Sequence, residues 1–216
     1  SPAALRFSTT QEWDEELLSK SGFKTLLRDD WLSLISLPKP PANDSEEVKS
    51  ELAALVEQKK ERTPETLKEI QEELRTQTIR FGDYAVGEFT DPALSPKTSR
   101  LFFEALLDLE VVVLKFKKHF DRVRPHFLEP SIEPAIAVPG HPSYPSGHST
   151  QAHFIASVLS ELMPERRREF EARAWEIGVH REIAGVHYRS DTEAGKELAR
   201  QFFEVLMQNP EFLKLL

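Results

Sequence analysis

The sequence predicts an all-α fold, a single-domain helical bundle with one long proline-rich loop. Apolar residues recur at helical spacing along most of the chain, and no run alternates apolar and polar residues as a half-buried strand would. The 216 residues include only eight glycines, so hairpin turns are scarce.

Each helix has its own signal. Val48, Leu52, Leu55 and Val56 fall at i, i+4, i+7 and i+8 behind the start signal Asn43-Asp44-Ser45. Leu67, Ile70, Leu74 and Phe81 continue the pattern after Thr63-Pro64, an N-cap followed by proline at the first helical position. Leu101, Phe102, Ala105, Leu106, Leu109, Val112, Val113 and Phe116 mark a long central helix with a wide apolar stripe. Phe154, Ile155, Val158, Leu159 and Leu162 mark another. Ala194, Leu198, Phe202 and Leu206 mark the last, opened by the capping box Ser190-x-x-Glu193.

Between Pro125 and Pro145 stand six prolines, too many for a helix or central strand. A loop of about 20 residues inside a compact domain is uncommon and usually functional. Leu37-Pro38-Lys39-Pro40-Pro41 is read as an inter-helix linker. The organisation expected is one domain over 1–216, with an N-terminal helical extension at 1–40 and a core at 97–208.

Composition excludes several classes. The chain has no cysteine, so disulfides, thiol nucleophiles, Cys-type zinc sites and iron–sulfur clusters are ruled out. Its longest aliphatic run, Val111 to Leu114, is far short of the ~20 apolar residues of a membrane span. A net charge of −8 argues against nucleic-acid binding. Yet Lys115, Lys117, Lys118, Arg122 and Arg124 concentrate in one segment against Asp121, a run that reads first as a solvated helix face and second as part of an anion site. The Ser1-Pro2-Ala3-Ala4 start reads as a mature or trimmed form, giving a periplasmic or secreted location as the expectation. Trp13 and Trp31, taken as exposed, are candidates for a homo-oligomer interface.

Three clusters hold the chemistry: Lys117 with Arg124-Pro125, then Pro145-Ser146-Gly147-His148, then Arg181, His187 and Asp191. Singly, each has a plain structural explanation. Together they suit phosphoryl transfer. Arg124 and Arg181 offer guanidinium forks and Lys117 a point cation. Ser146-Gly147 sits where a helix N-terminus would present N–H groups. Two histidines divide nucleophile and general acid, and Asp191 orients one of them.

Lys117-x6-Arg124-Pro125, Pro145-Ser146-Gly147-His148 and Arg181-x5-His187-x3-Asp191 resemble the three-part signature of the type 2 phosphatidic acid phosphatase superfamily. That superfamily includes bacterial class A non-specific acid phosphatases, membrane lipid phosphatases and vanadium-dependent haloperoxidases. The C-terminal half resembles the class A enzymes as far as Asn209-Pro210-Glu211-Phe212, whereas residues 1–95 carry no recognised motif. One position departs from the pattern: the third motif usually begins Ser-Arg, and here it begins His180-Arg181.

The resemblance implies a metal-independent acid phosphatase acting on small phosphate monoesters and inhibited by vanadate. His187 would be the nucleophile, forming a phosphohistidine, with Asp191 on its other ring nitrogen. His148 would be the general acid and then base. Lys117, Arg124, Arg181 and the N–H groups around Ser146-Gly147 would bind the phosphate oxygens, so no cofactor is implied. His141 and His180 are candidates for supporting roles. His119 and His126 are read as surface or supporting residues and His153 as packing. The alternatives are a haloperoxidase holding vanadate on His187, favoured weakly by the run His141 to His148, and a catalytically silent phosphate-binding protein.

Overall fold

A computed structural model describes residues 1–19, 25–74, 93 and 95–216 of the chain. In order, its helices are α1 (Glu15–Ser19), α2 (Glu46–Glu57), α3 (Pro64–Glu73), α4 (Pro96–Phe120), α5 (Gly147–Leu162), α6 (Arg167–Ile183), α7 (Arg189–Leu206) and α8 (Pro210–Leu215). No strand occurs among the described residues. The fold is all-α, as the apolar spacing predicts. Phe81 lies outside the described residues.

The local start signals act as expected. The Ser45 hydroxyl accepts the Val48 N–H and opens α2; the Thr63 hydroxyl accepts the Thr66 N–H and opens α3. At α7 the capping differs from the Ser190/Glu193 expectation. The helix starts two residues earlier, with Tyr188 at the N-cap, and Asp191 accepts the Tyr188 N–H at 3.0 Å. The helix α6 has no counterpart in the expected elements. Phe170, Ala174, Ile177 and Arg181 do follow a 4-3-4 spacing, but its buried face also takes in His180 and Glu182, which blurs the apolar stripe.

Helix α5 packs chiefly on α6 and α7, and α4 closes the bundle. Phe154 of α5 meets Phe202 of α7 edge to face, with ring centroids 5.2 Å apart. Each such buried side chain contributes about 1.5–3 kcal/mol. Gly195 lets α7 approach the start of α5, since a Cβ there would lie 2.8 Å from the Ser146 carbonyl oxygen and the Ser149 Cβ.

Residues 1–40, expected as a helical extension, hold short 3-10 turns and the five-residue α1. Leu26, Leu27, Trp31 and Ile35 nevertheless join the main core. Buried Asp108 of α4 anchors them by accepting the N–H groups of Thr25, Leu26 and Leu27 at 2.7–2.8 Å. Trp31 is therefore not an exposed interface residue, and Trp13 is half-buried and packs on Phe7.

The proline-rich segment forms two 3-10 turns, Pro125–Phe127 and Pro130–Ile132, and then runs irregularly into α5. Arg62 ties it down, donating to the carbonyls of Ile132, Glu133 and Ile183 at 2.8–3.0 Å. Ile70 of α3, Ile136 of the loop, and Ile183, Ala184 and Val186 form a second apolar cluster beside the site.

Candidate active site

The three motifs converge on one cavity of about 150 Å³, whose lining includes Lys117, His141, Gly147, His148, Arg181 and His187. Residues separated by up to 70 positions meet there because α4, the proline-rich loop, the start of α5 and the end of α6 enclose it.

His187 lies between α6 and α7, where Asp191, four residues on, is the third residue of α7. The His187 Nδ1–H donates to Asp191 Oδ2 at 2.9 Å, which leaves Nε2 with the lone pair. Arg124 Nη1 donates to that Nε2 at 3.0 Å. Burial, and then the Arg124 charge, hold His187 well below the usual histidine range, against the raising effect of Asp191.

Asp191 is wholly buried and saturated with donors. Besides His187 and the Tyr188 N–H, it receives Arg122 Nη1 at 2.7 Å and the Ser143 hydroxyl at 2.5 Å. Burial pushes its carboxyl up, but Arg122 and His187 outweigh that, and it titrates below the usual range. Arg122, which the sequence shows only as one of a run of cations, lies with its guanidinium 3.7 Å from the Tyr188 ring centroid. It also donates to the Ser190 hydroxyl, and Glu51 of α2 accepts that residue's N–H at 2.5 Å.

The cations differ in their partners. Arg181 donates through Nη2 to Glu73 Oε2 at 2.8 Å and to the Ile70 carbonyl at 2.9 Å; its buried Nε and Nη1 have no hydrogen-bond partner. Lys117 Nζ donates to the carbonyls of Pro142 (2.7 Å) and Ser143 (3.4 Å). Arg124 donates to the carbonyls of His141 and Val186 and to ring nitrogens of His141 and His187. Lys117 and Arg124 are at most 1% exposed, yet among the described residues neither forms an ion pair with a carboxylate. Burial lowers both, Arg124 to about 10 and Lys117 well below the lysine range. Two buried cations bonded only to neutral groups call for an anion with two charges.

At the start of α5 the Ser146 hydroxyl accepts the Ser149 N–H, and the Ser146 N–H donates to the Asp191 carbonyl at 3.0 Å. Ser146 thus joins the α5 terminus to α7, and the first-turn N–H groups of Gly147 and His148 are those a helix N-terminus offers to an anion. His148 Nε2–H donates to the Glu73 carbonyl at 3.0 Å. Burial, Arg181, Lys117 and Arg124 together depress His148 to about 3, against the raising effect of Glu73.

His141 contacts Arg124, and His180 contacts Glu73 through Nδ1 at 2.7 and 3.0 Å. His119 is exposed, His126 half-buried, and His153 buried beside Trp175. Glu69, Glu176 and His180 place donor atoms within 4.8 Å of one another, a set that could hold a cation. Sequence reasoning missed Glu51, Glu73, Arg122 and Ser143. Ser143 lies within the His141–His148 run that the resemblance covers, so that run was the available signal for it.

The sequence model of the PAP2 superfamily matches residues 100–210, about half of the chain and all three motifs. The chain belongs to the PAP2 superfamily. A non-specific acid phosphatase of Salmonella typhimurium is 35% identical over 138 residues, 61% of this chain and 54% of that protein. The chain therefore spans about half the length of the curated relatives it matches. Among solved structures, a bacterial vanadium-dependent iodoperoxidase superposes with a TM-score of 0.70 at 16% identity, covering 97% of this chain and 62% of that one. A bacterial apo-type vanadium-dependent chloroperoxidase gives 0.73 at 12% identity, over 95% and 57%. At such identity these superpositions show a shared fold alone. None of the described helices is long and apolar enough to cross a membrane.

Proposed function

We propose that this PAP2 domain is a phosphoric monoester hydrolase of the acid phosphatase type, acting on small phosphate esters through a phosphohistidine and without a metal ion. The observation that carries the reading is the pair of buried cations, Lys117 and Arg124, bonded only to neutral groups around the His187 Nε2 lone pair. A phosphomonoester dianion has the matching charge. The similarity to the non-specific acid phosphatase of Salmonella typhimurium supports the same chemistry.

In the first half-reaction His187 Nε2 attacks phosphorus in line; the N–P bond forms and the ester P–O bond breaks. Arg124 Nη1 exchanges its contact with Nε2 for a phosphate oxygen, while the unpartnered Nε and Nη1 of Arg181, Lys117 and the α5 N–H groups take the others. His148, whose Nε2–H is committed to the Glu73 carbonyl, delivers a proton from Nδ1 to the leaving alkoxide. In the second, His148 takes a proton from water, the new P–O bond forms, and the N–P bond breaks to release phosphate. Burial depresses His148 most and the cations Arg181, Lys117 and Arg124 add to it; a bound dianion offsets the cations and so shifts the His148 pKa upward, in the direction its role as proton donor requires.

The test is hydrolysis of a chromogenic phosphomonoester across the pH range of the two histidines, with EDTA, with and without orthovanadate. Turnover that survives EDTA, falls with vanadate and disappears in His187→Ala supports the reading. Bromide oxidation with vanadate and peroxide, without ester hydrolysis, would replace it by a haloperoxidase; tight phosphate binding without turnover would make the protein a silent binder.

A further inference from the structure

Glu73 stands in the part of the chain that carries none of the signature, outside residues 100–210. It is the last residue of α3 and is wholly buried. Three signature-region residues converge on it. Its carboxylate accepts Arg181 Nη2 at 2.8 Å, its Oε1 and Oε2 lie 2.7 and 3.0 Å from His180 Nδ1, and its backbone carbonyl accepts His148 Nε2–H at 3.0 Å.

The consequences differ for each partner. Arg181 has five donor hydrogens on a rigid fork. With Nη2 fixed by Glu73 and the Ile70 carbonyl, the plane of the fork is set, and Nε and Nη1 are left for a ligand. For His148 the bond to the Glu73 carbonyl fixes the ring and selects Nδ1 as the atom that exchanges protons. His180, at the position where the family pattern has serine, supplies the second contact that keeps the Glu73 carboxylate from turning about its own side chain.

We propose that Glu73, held by His180, is the positioning residue of this site, aligning Arg181 and His148 for the transition state. It does not touch the substrate. The inference rests on the phosphatase reading for its kinetic test and on the oxyanion pocket alone for its binding test.

The experiment compares wild type, Glu73→Ala, Glu73→Gln and His180→Ser in the full chain, measuring kcat and KM for a chromogenic phosphomonoester and, by calorimetry, the affinities for orthophosphate and orthovanadate. Vanadate adopts the trigonal-bipyramidal geometry of the transition state, whereas phosphate mimics the ground state. Misplacing a group that acts in the transition state costs up to about 100-fold. Glu73→Ala is expected to lower kcat and vanadate affinity together by roughly that factor, with KM and phosphate affinity changed much less. Glu73→Gln, which keeps a side-chain acceptor for Arg181, recovers part of the loss; the backbone carbonyl that accepts from His148 is present in both variants, so the two differ only in what they leave for Arg181 and His180. A folded Glu73→Ala with unchanged kcat and vanadate affinity overturns the proposal, as does an equal loss of phosphate and vanadate affinity, which marks Glu73 as part of the general packing. If Glu73→Ala does not fold, His180→Ser decides: a several-fold fall in vanadate affinity with phosphate affinity kept supports the proposal, and no change overturns it. A wild type that binds vanadate without hydrolysing esters refutes the phosphatase reading only, since the two affinities still report on Glu73. A wild type that binds neither anion removes the pocket and the proposal with it.

Discussion

Asp191 is where the site is most heavily constrained. Four donors from four different residues, His187, Tyr188, Arg122 and Ser143, converge on one carboxylate with no exposure to water. Each bond removes a freedom that His187 would otherwise have: its ring cannot rotate, and Nδ1 cannot give up its hydrogen without breaking the network. Arg122 neutralises Asp191, and the pair is buried on both sides, at 2% and 0% side-chain exposure. Truncating one partner of a buried ion pair strands the other and costs about 3–5 kcal/mol. Arg122→Ala is therefore expected to destabilise the protein by that amount in denaturant unfolding near neutral pH. It should also raise the Asp191 pKa, moving the acid limb of the pH–rate profile upward. An Arg122→Ala protein with wild-type midpoint and profile would show that Ser143 and His187 alone hold the carboxylate.

The helices set how closely these residues approach, and two glycines make opposite contributions. Gly195 lies where α7 meets the α5 terminus, and a Cβ would lie 2.8 Å from the Ser146 carbonyl oxygen, closer than real Cβ atoms come to backbone. Gly195→Ala must push the Ser146-Gly147 turn away from α7, so a loss of about 1–3 kcal/mol is expected together with lower activity. At Gly147 a Cβ would meet only Val113 Cγ1, at 3.8 Å. Gly147→Ala should therefore leave thermal stability within about 1 kcal/mol of wild type and act on phosphate affinity, because the glycine serves the approach of a ligand to the backbone. Thermal melts paired with phosphate titration separate the two effects; a strongly destabilised Gly147→Ala would contradict this assignment. At the same scale, α6 shows why one helix escaped sequence reasoning. It buries His180, Arg181 and Glu182 alongside Phe170, Ala174 and Ile177, so its inner face is not an apolar stripe.

Across the whole molecule, buried histidines make stability depend on pH. Burial lowers His141 and His187 well below their ordinary range, His148 to about 3 and His153 to about 4. A histidine with a depressed folded pKa is neutral in the native state and takes up a proton on unfolding. The unfolded chain then binds more protons below its ordinary pKa of about 6.5. Stability is thus full above that value and is lost as pH falls toward about 3. Asp191 adds to the loss at the acid end, because its depressed carboxyl contributes stability that disappears only as pH drops through its folded pKa. The protein alone should melt at progressively lower temperature below pH ~6.5. Phosphate at about 100 times its Kd should add ~2.7 kcal/mol. A melting temperature that rises on acidification from neutral pH would refute this linkage.

The apolar stripes of α2, α3, α4, α5 and α7, the start signals Ser45 and Thr63, and the three motifs that the fold brings to one cavity were legible in the sequence, because spacing and motif order are local properties. The distribution of donors was not. Whether Arg122 serves Asp191, whether Ser146 faces a ligand or stitches α5 to α7, and whether Trp31 is exposed or buried depend on which helix packs against which. The partnership of Glu73 with Arg181, His180 and His148 spans up to 108 positions and obeys no spacing rule. It exists because an ionised side chain taken out of water must find a counter-charge or donor nearby. Only the tertiary packing determines which residue that is.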